Sequence, residues 1–198
     1  MPQITRRRMI ALGLAAGLMP GRGAARSVAY RLDEAQSQVG FAFNLSGLRQ
    51  NGTMPVRLAD IHIDPNNLIR SEVDVSLDVS KAKTVLGFAT RAMTGPDVLH
   101  AAAFPTIRFR SRSVTLGADQ RISNGATITG DVTIRDVTAP LTLQADIFRP
   151  QGSAPDDLSQ LTVNLKGSVS RSQFGAGGYA DLVADEVMLD IRAVIGVT

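Results

Sequence analysis

The residue types that carry most catalytic and metal chemistry are scarce in this sequence. There is no Cys, so a thiolate nucleophile, a cysteine zinc site and a disulfide framework are all excluded. There are two His, at positions 62 and 100. His62 lies in Asp60-Ile61-His62-Ile63-Asp64, where alternation puts three polar groups on one strand face. Such a row would suit a small metal site, but a solvated strand face has the same spacing and is the expectation here. His100, between Leu99 and Ala101, stands alone and reads as a surface or capping residue. Gly175-Ala176-Gly177-Gly178 lacks the spacing and strand-to-helix setting of a phosphate loop and reads as a strand connection. No Ser sits in a Gly-x-Ser-x-Gly elbow. Asp156-Asp157 and Asp185-Glu186 are adjacent carboxylates, and neighbours on a strand point to opposite faces. Arg108, Arg110 and Arg112 share one strand face; they are either an anion-binding stripe or an outer face opposed by acids on the next strand, and the second is expected.

The elements that must position these residues are strands. Val39, Phe41, Phe43 and Leu45 alternate with small or polar residues, as do Val73, Val75, Leu77 and Val79. Ile107 and Phe109 continue the pattern, followed by Ile128, Gly130, Val132 and Ile134, then Leu141, Leu143, Ala145 and Ile147. Leu161, Val163 and Leu165 and then Val187, Leu189 and Ile191 complete it. Period two means one buried face and one wet face. Turn signals fall at Asn51-Gly52, at residues 64–67, at Asn124-Gly125 and at residues 150–152. Residues 84–93 break the period and read as a helical or loop excursion, and residues 97–103 as one more short helix stopped by Pro105. About eight antiparallel strands with one apolar face require either closure into a barrel or a second sheet. The seven Phe serve as packing in a solid core or as the lining of a greasy tube, and both readings stand at this point.

Charge separates the chain into two parts. The formal charge is +3, yet residues 1–25 hold Arg6, Arg7, Arg8 and Arg22 and no acid. Residues 26–198 carry 17 basic and 18 acidic side chains, a net of −1, which gives no electrostatic footprint for nucleic acid. Thr5-Arg6-Arg7, an apolar run over residues 9–19 and Gly23-Ala24-Ala25 form a charged region, an apolar region and a small-residue cleavage site. The run is about 16 Å long as a helix, against the roughly 30 Å core of a bilayer, so stable membrane insertion is not expected. The segment resembles a twin-arginine export signal. Residues 1–25 are therefore expected to be a signal cleaved near Ala25, with residues 26–198 as the exported, periplasmic domain.

Four stretches of that domain carry a family resemblance. They are Tyr30-Arg31-Leu32-Asp33 with Ser37, Val39 and Phe41, and Phe104-Pro105-Thr106-Ile107-Arg108-Phe109. The third is Gly130-Asp131-Val132-Thr133-Ile134 with Val137-Thr138-Ala139-Pro140-Leu141-Thr142-Leu143, and the fourth Arg171-Ser172-Gln173-Phe174-Gly175 with Asp185-Glu186-Val187. In order and spacing the domain resembles the YceI-like family of exported, lipocalin-like, polyisoprenoid-binding proteins. The resemblance implies an all-β, antiparallel eight-stranded barrel with a short helical insertion. It also implies a pocket for an isoprenoid or other long-chain lipid, with no cofactor, metal or catalytic residue. The expected lining is then Phe41, Phe43, Val75, Leu77, Phe109, Val132 and Leu143, together with Phe174. Phe88, Met93 and Leu99 are expected to cover the mouth, and Arg91 and Arg171 to meet an anionic head group.

Two other readings remain: a stress-related or interaction protein with a filled core, and an enzyme acting on the lipid through carboxylates or Arg171. A homodimer is the default for a soluble homo-oligomer.

Overall fold

The period-two stretches fold into eleven strands and one helix in the computed structural model, which describes residues 27–64 and 67–198. The expected export signal at residues 1–25 lies outside the described residues. The strands are β1 (Val28–Leu32), β2 (Gln38–Leu45), β3 (Leu48–Thr53), β4 (Val56–Ile63), β5 (Glu72–Asp78) and β6 (Lys83–Thr84). After helix α1 (Gly87–Thr94) come β7 (Thr106–Leu116), β8 (Ala126–Ile134), β9 (Val137–Phe148), β10 (Gln160–Ser170) and β11 (Glu186–Val197). β1 and β2 both pair with β11, end to end. β4 and β3 pair with β1 and β2 in turn, and β5 and β6 with β4 and β3. The eleven pieces thus make eight long antiparallel staves, each bonded to its neighbours in sequence. The ring closes where β1 meets β11. This is the expected eight-stranded barrel with a helical insertion.

The first three staves break at one level, each for a local chemical reason. Between β1 and β2 the Asp33 carboxylate accepts hydrogen bonds from the Ala35 and Gln36 N–H groups at 3.0 and 3.1 Å, an Asx turn. Pro55, without an N–H, separates β3 from β4. Past β5, the Asp78 carboxylate accepts from the Ser80 N–H at 3.0 Å and starts a 3₁₀ turn over Val79–Lys81. The breaks are tied together: the Met54 N–H donates to Val39 O at 3.0 Å, and the Asp78 N–H to Pro55 O at 2.9 Å. Beyond this line β6 stays with β3, while β7 pairs with β5 and β8 but not with β6, so the wall parts between β6 and β7. Residues 85–105 occupy that opening.

Two local expectations are corrected. Asn51-Gly52 is no turn; it lies inside β3, and the hairpin instead turns at Ser46-Gly47, whose φ values of 49° and 81° are the left-handed pair that a two-residue hairpin needs. Residues 97–103 form successive turns, not a helix. The N–H groups of Leu99, His100 and Ala101 return to the carbonyls of Met93, Gly95 and Thr94, so the segment wraps onto the end of α1, with His100 at φ 50°.

Packed clusters seal the end of the barrel away from α1. Tyr30, Ile61, Leu161 and Ile195 pack together there, and the Tyr30 hydroxyl donates to Leu158 O at 2.7 Å. Val114, Ala126 and Ala145 add a second cluster.

On the outer wall, Arg108, Arg110 and Arg112 meet acids on both neighbouring strands. Arg108 pairs with Asp74 through two contacts, Arg110 reaches the same carboxylate at 3.1 Å, and Arg112 meets Asp131 at 2.6 Å. The hydrogen bond from Arg108 holds the Asp74 carboxyl below the usual range. A lowered native value stabilises the fold above the unfolded value, near 3.9, and is lost as pH falls through the native one. Asp74→Asn is expected to lower the melting temperature at pH 7. The gap to the parent protein should close as pH falls below about 4, as thermal melts across pH would record.

Candidate functional site

Inward-facing residues of the staves enclose a cavity of about 440 Å³. Protein cores rarely hold voids much larger than a water molecule, whereas small-molecule sites occupy roughly 300–1,000 Å³. The barrel is therefore hollow, and the filled-core reading is set aside.

The lining follows the period-two faces. Phe41 and Phe43 come from β2, Val75 and Leu77 from β5, Phe109 from β7, Val132 from β8 and Leu143 from β9. From α1, Phe88, Ala89, Ala92 and Met93 face the cavity, spacing that places them on one side of the helix. Leu99 enters from the following turns and Phe174 from the 3₁₀ turn Ser172–Phe174. Twelve of the thirteen expected site residues, Arg171 included, thus come together around one space. Arg91 does not: it lies on the exposed face of α1, because the stretch 88–93 turns its apolar residues inward and leaves position 91 outside.

Two rings owe their positions to glycine. A Cβ on Gly52 would lie 2.3 Å from Phe41 Cζ, and one on Gly130 would lie 2.6 Å from Phe109 Cζ. Each ring therefore lies over the bare backbone of the neighbouring strand, which no other residue type permits at these distances. Phe41 and Phe43 stack with centroids 6.4 Å apart.

Arg171 borders the cavity yet is buried, and its head is committed to backbone. Nε donates to Ala184 O at 3.1 Å, Nη1 to Ala176 O at 2.7 Å and Gly178 O at 2.6 Å, and Nη2 to Val183 O at 2.8 Å. Four of its five N–H groups are spent organising residues 171–185, which leaves little donor capacity for an anion. Arg135 does similar work nearby. It sits at φ 57° in the β8–β9 hairpin, and its guanidinium donates to Val98 O at 3.2 Å and to Gly175 O and lies 5.5 Å from the Phe104 ring centroid. Gly178 completes the junction: its N–H donates to Asp97 O at 3.0 Å, and a Cβ there would lie 2.5 Å from that oxygen.

Sequence reasoning missed several lining residues. Val39, Ile107, Leu165, Leu189 and Ile191 sit on alternating faces and were legible from the pattern. Tyr179 and Leu182 come from a loop with no periodicity and carried no such signal. The candidate His62 metal row does not form. His62 pairs with Asp60 at 3.0 Å on the outside, whereas Asp64 turns under the chain and is buried, accepting from the Asn67 N–H at 3.1 Å. Among the described residues no group of three or more His, Cys, Asp or Glu is placed to hold a metal ion.

A closed antiparallel barrel with an apolar interior and a helix over one end defines a lipocalin-like barrel. The YceI-like domain profile matches residues 30–195, and the chain belongs to that family. Protein YceI of Escherichia coli O157:H7 is 26% identical over 167 residues, which cover 82% of this chain and 84% of the relative. BcnA of Burkholderia cenocepacia superposes with a TM-score of 0.70 at 19% identity, covering 83% of this chain and 99% of that one. A polyisoprenoid binding domain from Saccharophagus degradans, implicated in plant cell wall breakdown, superposes with a TM-score of 0.63 at 11% identity, covering 86% and 99%.

Replacing Arg171 by Met keeps the bulk but strands four carbonyls. The expected loss is at least about 3 kcal/mol of folding stability, read by urea denaturation, with Arg171→Lys intermediate.

Proposed function

We propose that the protein is exported to the periplasm and holds an isoprenoid or similar long apolar chain inside its barrel, as a carrier or reservoir. One observation carries this reading: a 440 Å³ cavity whose lining is almost wholly hydrocarbon. Each methylene moved from water into such a space contributes about 0.8 kcal/mol, so a long chain binds well without polar contacts. The Saccharophagus degradans domain, described as polyisoprenoid binding, supports the same ligand class. Among the described residues the lining contains no carboxylate and no imidazole, which supports binding over catalysis. The arginine pair, apolar run and small residues within residues 1–25 support export, with processing near Ala25.

Solvent extraction and native mass spectrometry of protein recovered from exporting cells are expected to yield a bound lipid. Phe109→Arg should cut loading by more than about tenfold while the barrel still folds, since a charge in the tube has no partner. An empty parent protein that takes up no isoprenoid would sink the reading.

Export has its own check. Changing Arg6 and Arg7 together to Lys should leave the precursor unprocessed in the cell, whereas ordinary secretion would tolerate the exchange. N-terminal sequencing of the exported chain should begin just after Ala25.

A further inference from the structure

Large apolar side chains are exposed unevenly over the described surface. Of nine such residues, five stand at the α1 end: Leu48, Val85, Phe88, Tyr179 and Leu182, exposed by 69, 77, 57, 48 and 53%. The others, Leu58, Phe148, Met188 and Val197, are scattered over the wall and the sealed end. The five come from three separate segments, namely the β2–β3 hairpin, the stretch from the end of β6 into the first turn of α1, and the loop over residues 171–185. Those segments are bonded to one another or to common strands. The Ser46 N–H donates to Leu182 O at 2.7 Å, Leu45 bridges Val183, and the Val85 N–H donates to Asn51 O at 3.3 Å. The exposed residues therefore form a built rim.

That rim is continuous with the interior. Phe88, Tyr179 and Leu182 face solvent and also line the cavity, so they mark the mouth. A ligand consisting of a long hydrocarbon chain has almost no free concentration in water, because every exposed methylene costs about as much as its burial returns. Transfer is fastest where the mouth meets an apolar phase directly. Cations flank the rim: Arg49 follows Leu48, Lys83 precedes Val85 by two residues, and Arg91 lies one helical turn beyond Phe88. None of the three forms an ion pair among the described residues. Asp181 and Asp185 are acids on the 171–185 loop, the latter bonded to Ser170 and Ser172, and Asp97 stands in the turns after α1, so apolar insertion is the main attraction and anionic head groups add to it.

We propose that this rim seats the protein on the surface of a phospholipid bilayer, with the mouth facing the lipid, so that the chain passes between bilayer and cavity without crossing water. The contact is peripheral: no helix among the described residues is long and apolar enough to cross a membrane. This proposal rests on the lipid-binding reading above, and its test separates the two.

Leu48 and Val85 belong to the rim but not to the cavity lining, so substitutions there leave the binding space intact. The full mature protein would be co-sedimented with vesicles of phosphatidylcholine, alone and with a minor fraction of phosphatidylglycerol. The parent protein is expected to bind both and to favour the anionic vesicles, with added salt removing only that preference. Leu48→Asp combined with Val85→Asp should weaken vesicle binding by at least about tenfold, while native mass spectrometry still finds a loaded cavity. If the double variant melts early, Leu48→Asp alone provides the same comparison. Equal sedimentation of variant and parent overturns the proposal, as does a parent protein that binds neither vesicle. A parent dimer that the double variant splits, without vesicle binding, assigns the rim to a second copy of the chain and also overturns it. Vesicle binding with a cavity that never loads refutes the lipid-binding reading and leaves the docking face standing.

Discussion

An eight-stranded barrel can either fill with its own side chains or hold one small ligand, and here a device that keeps the walls apart decides for the second. Here the device is the shared break across the first three staves. Asp33, Pro55 and Asp78 each end a ladder at the same level, and the hydrogen bonds Met54 N–H to Val39 O and Asp78 N–H to Pro55 O lock the three breaks in line. Above that line the wall opens between β6 and β7, and α1 takes the place of the missing wall. A helix is broader than a strand, and it presents Phe88, Ala89, Ala92 and Met93 across the gap without filling it. Below the line, the cluster around Tyr30 and Ile195 closes the barrel by ordinary packing. A space open at one end and sealed at the other results.

Glycine contributes to the same end. Bulky rings inside a small barrel would normally meet at the axis. Gly52 and Gly130 let Phe41 and Phe109 lie back against the wall, so the rings coat the tube instead of plugging it. The loops at the mouth are held by two arginines whose donors go to backbone carbonyls, Arg171 within its own loop and Arg135 reaching both that loop and the turns after α1. Charge thus serves rigidity at the mouth, and the outer wall keeps its own charges paired along Arg108, Arg110 and Arg112.

Much of this was legible in the sequence. Alternation along Val39–Phe41–Phe43 and Val73–Val75–Leu77 fixed which side chains face inward, because a strand has only two faces. The acids opposite the Arg108 stripe followed from the same rule. Where the period broke, the helical excursion over residues 84–93 was read correctly, but other local signals misled. Asn51-Gly52 carries a strong turn signal, yet its glycine is there for the Phe41 ring, a requirement visible only once β2 and β3 are paired. Residues 97–103 look helical locally, but they wrap onto α1 because their N–H groups find its terminal carbonyls. Arg91 looked suited to an anion, and only the phase of α1 places it outside. Arg171 was singled out from the family pattern; its four carbonyl partners lie 5 to 13 residues away along a loop that no local rule folds.

The commitment of Arg171 also determines what the tube can distinguish. With four of its five donors engaged, Arg171 offers a chain in the tube almost nothing polar from which its position could be measured. Sliding by one methylene exchanges one hydrocarbon contact for another of equal worth. What such a tube can impose is girth, together with the depth set by its sealed end, rather than the identity of a polar group.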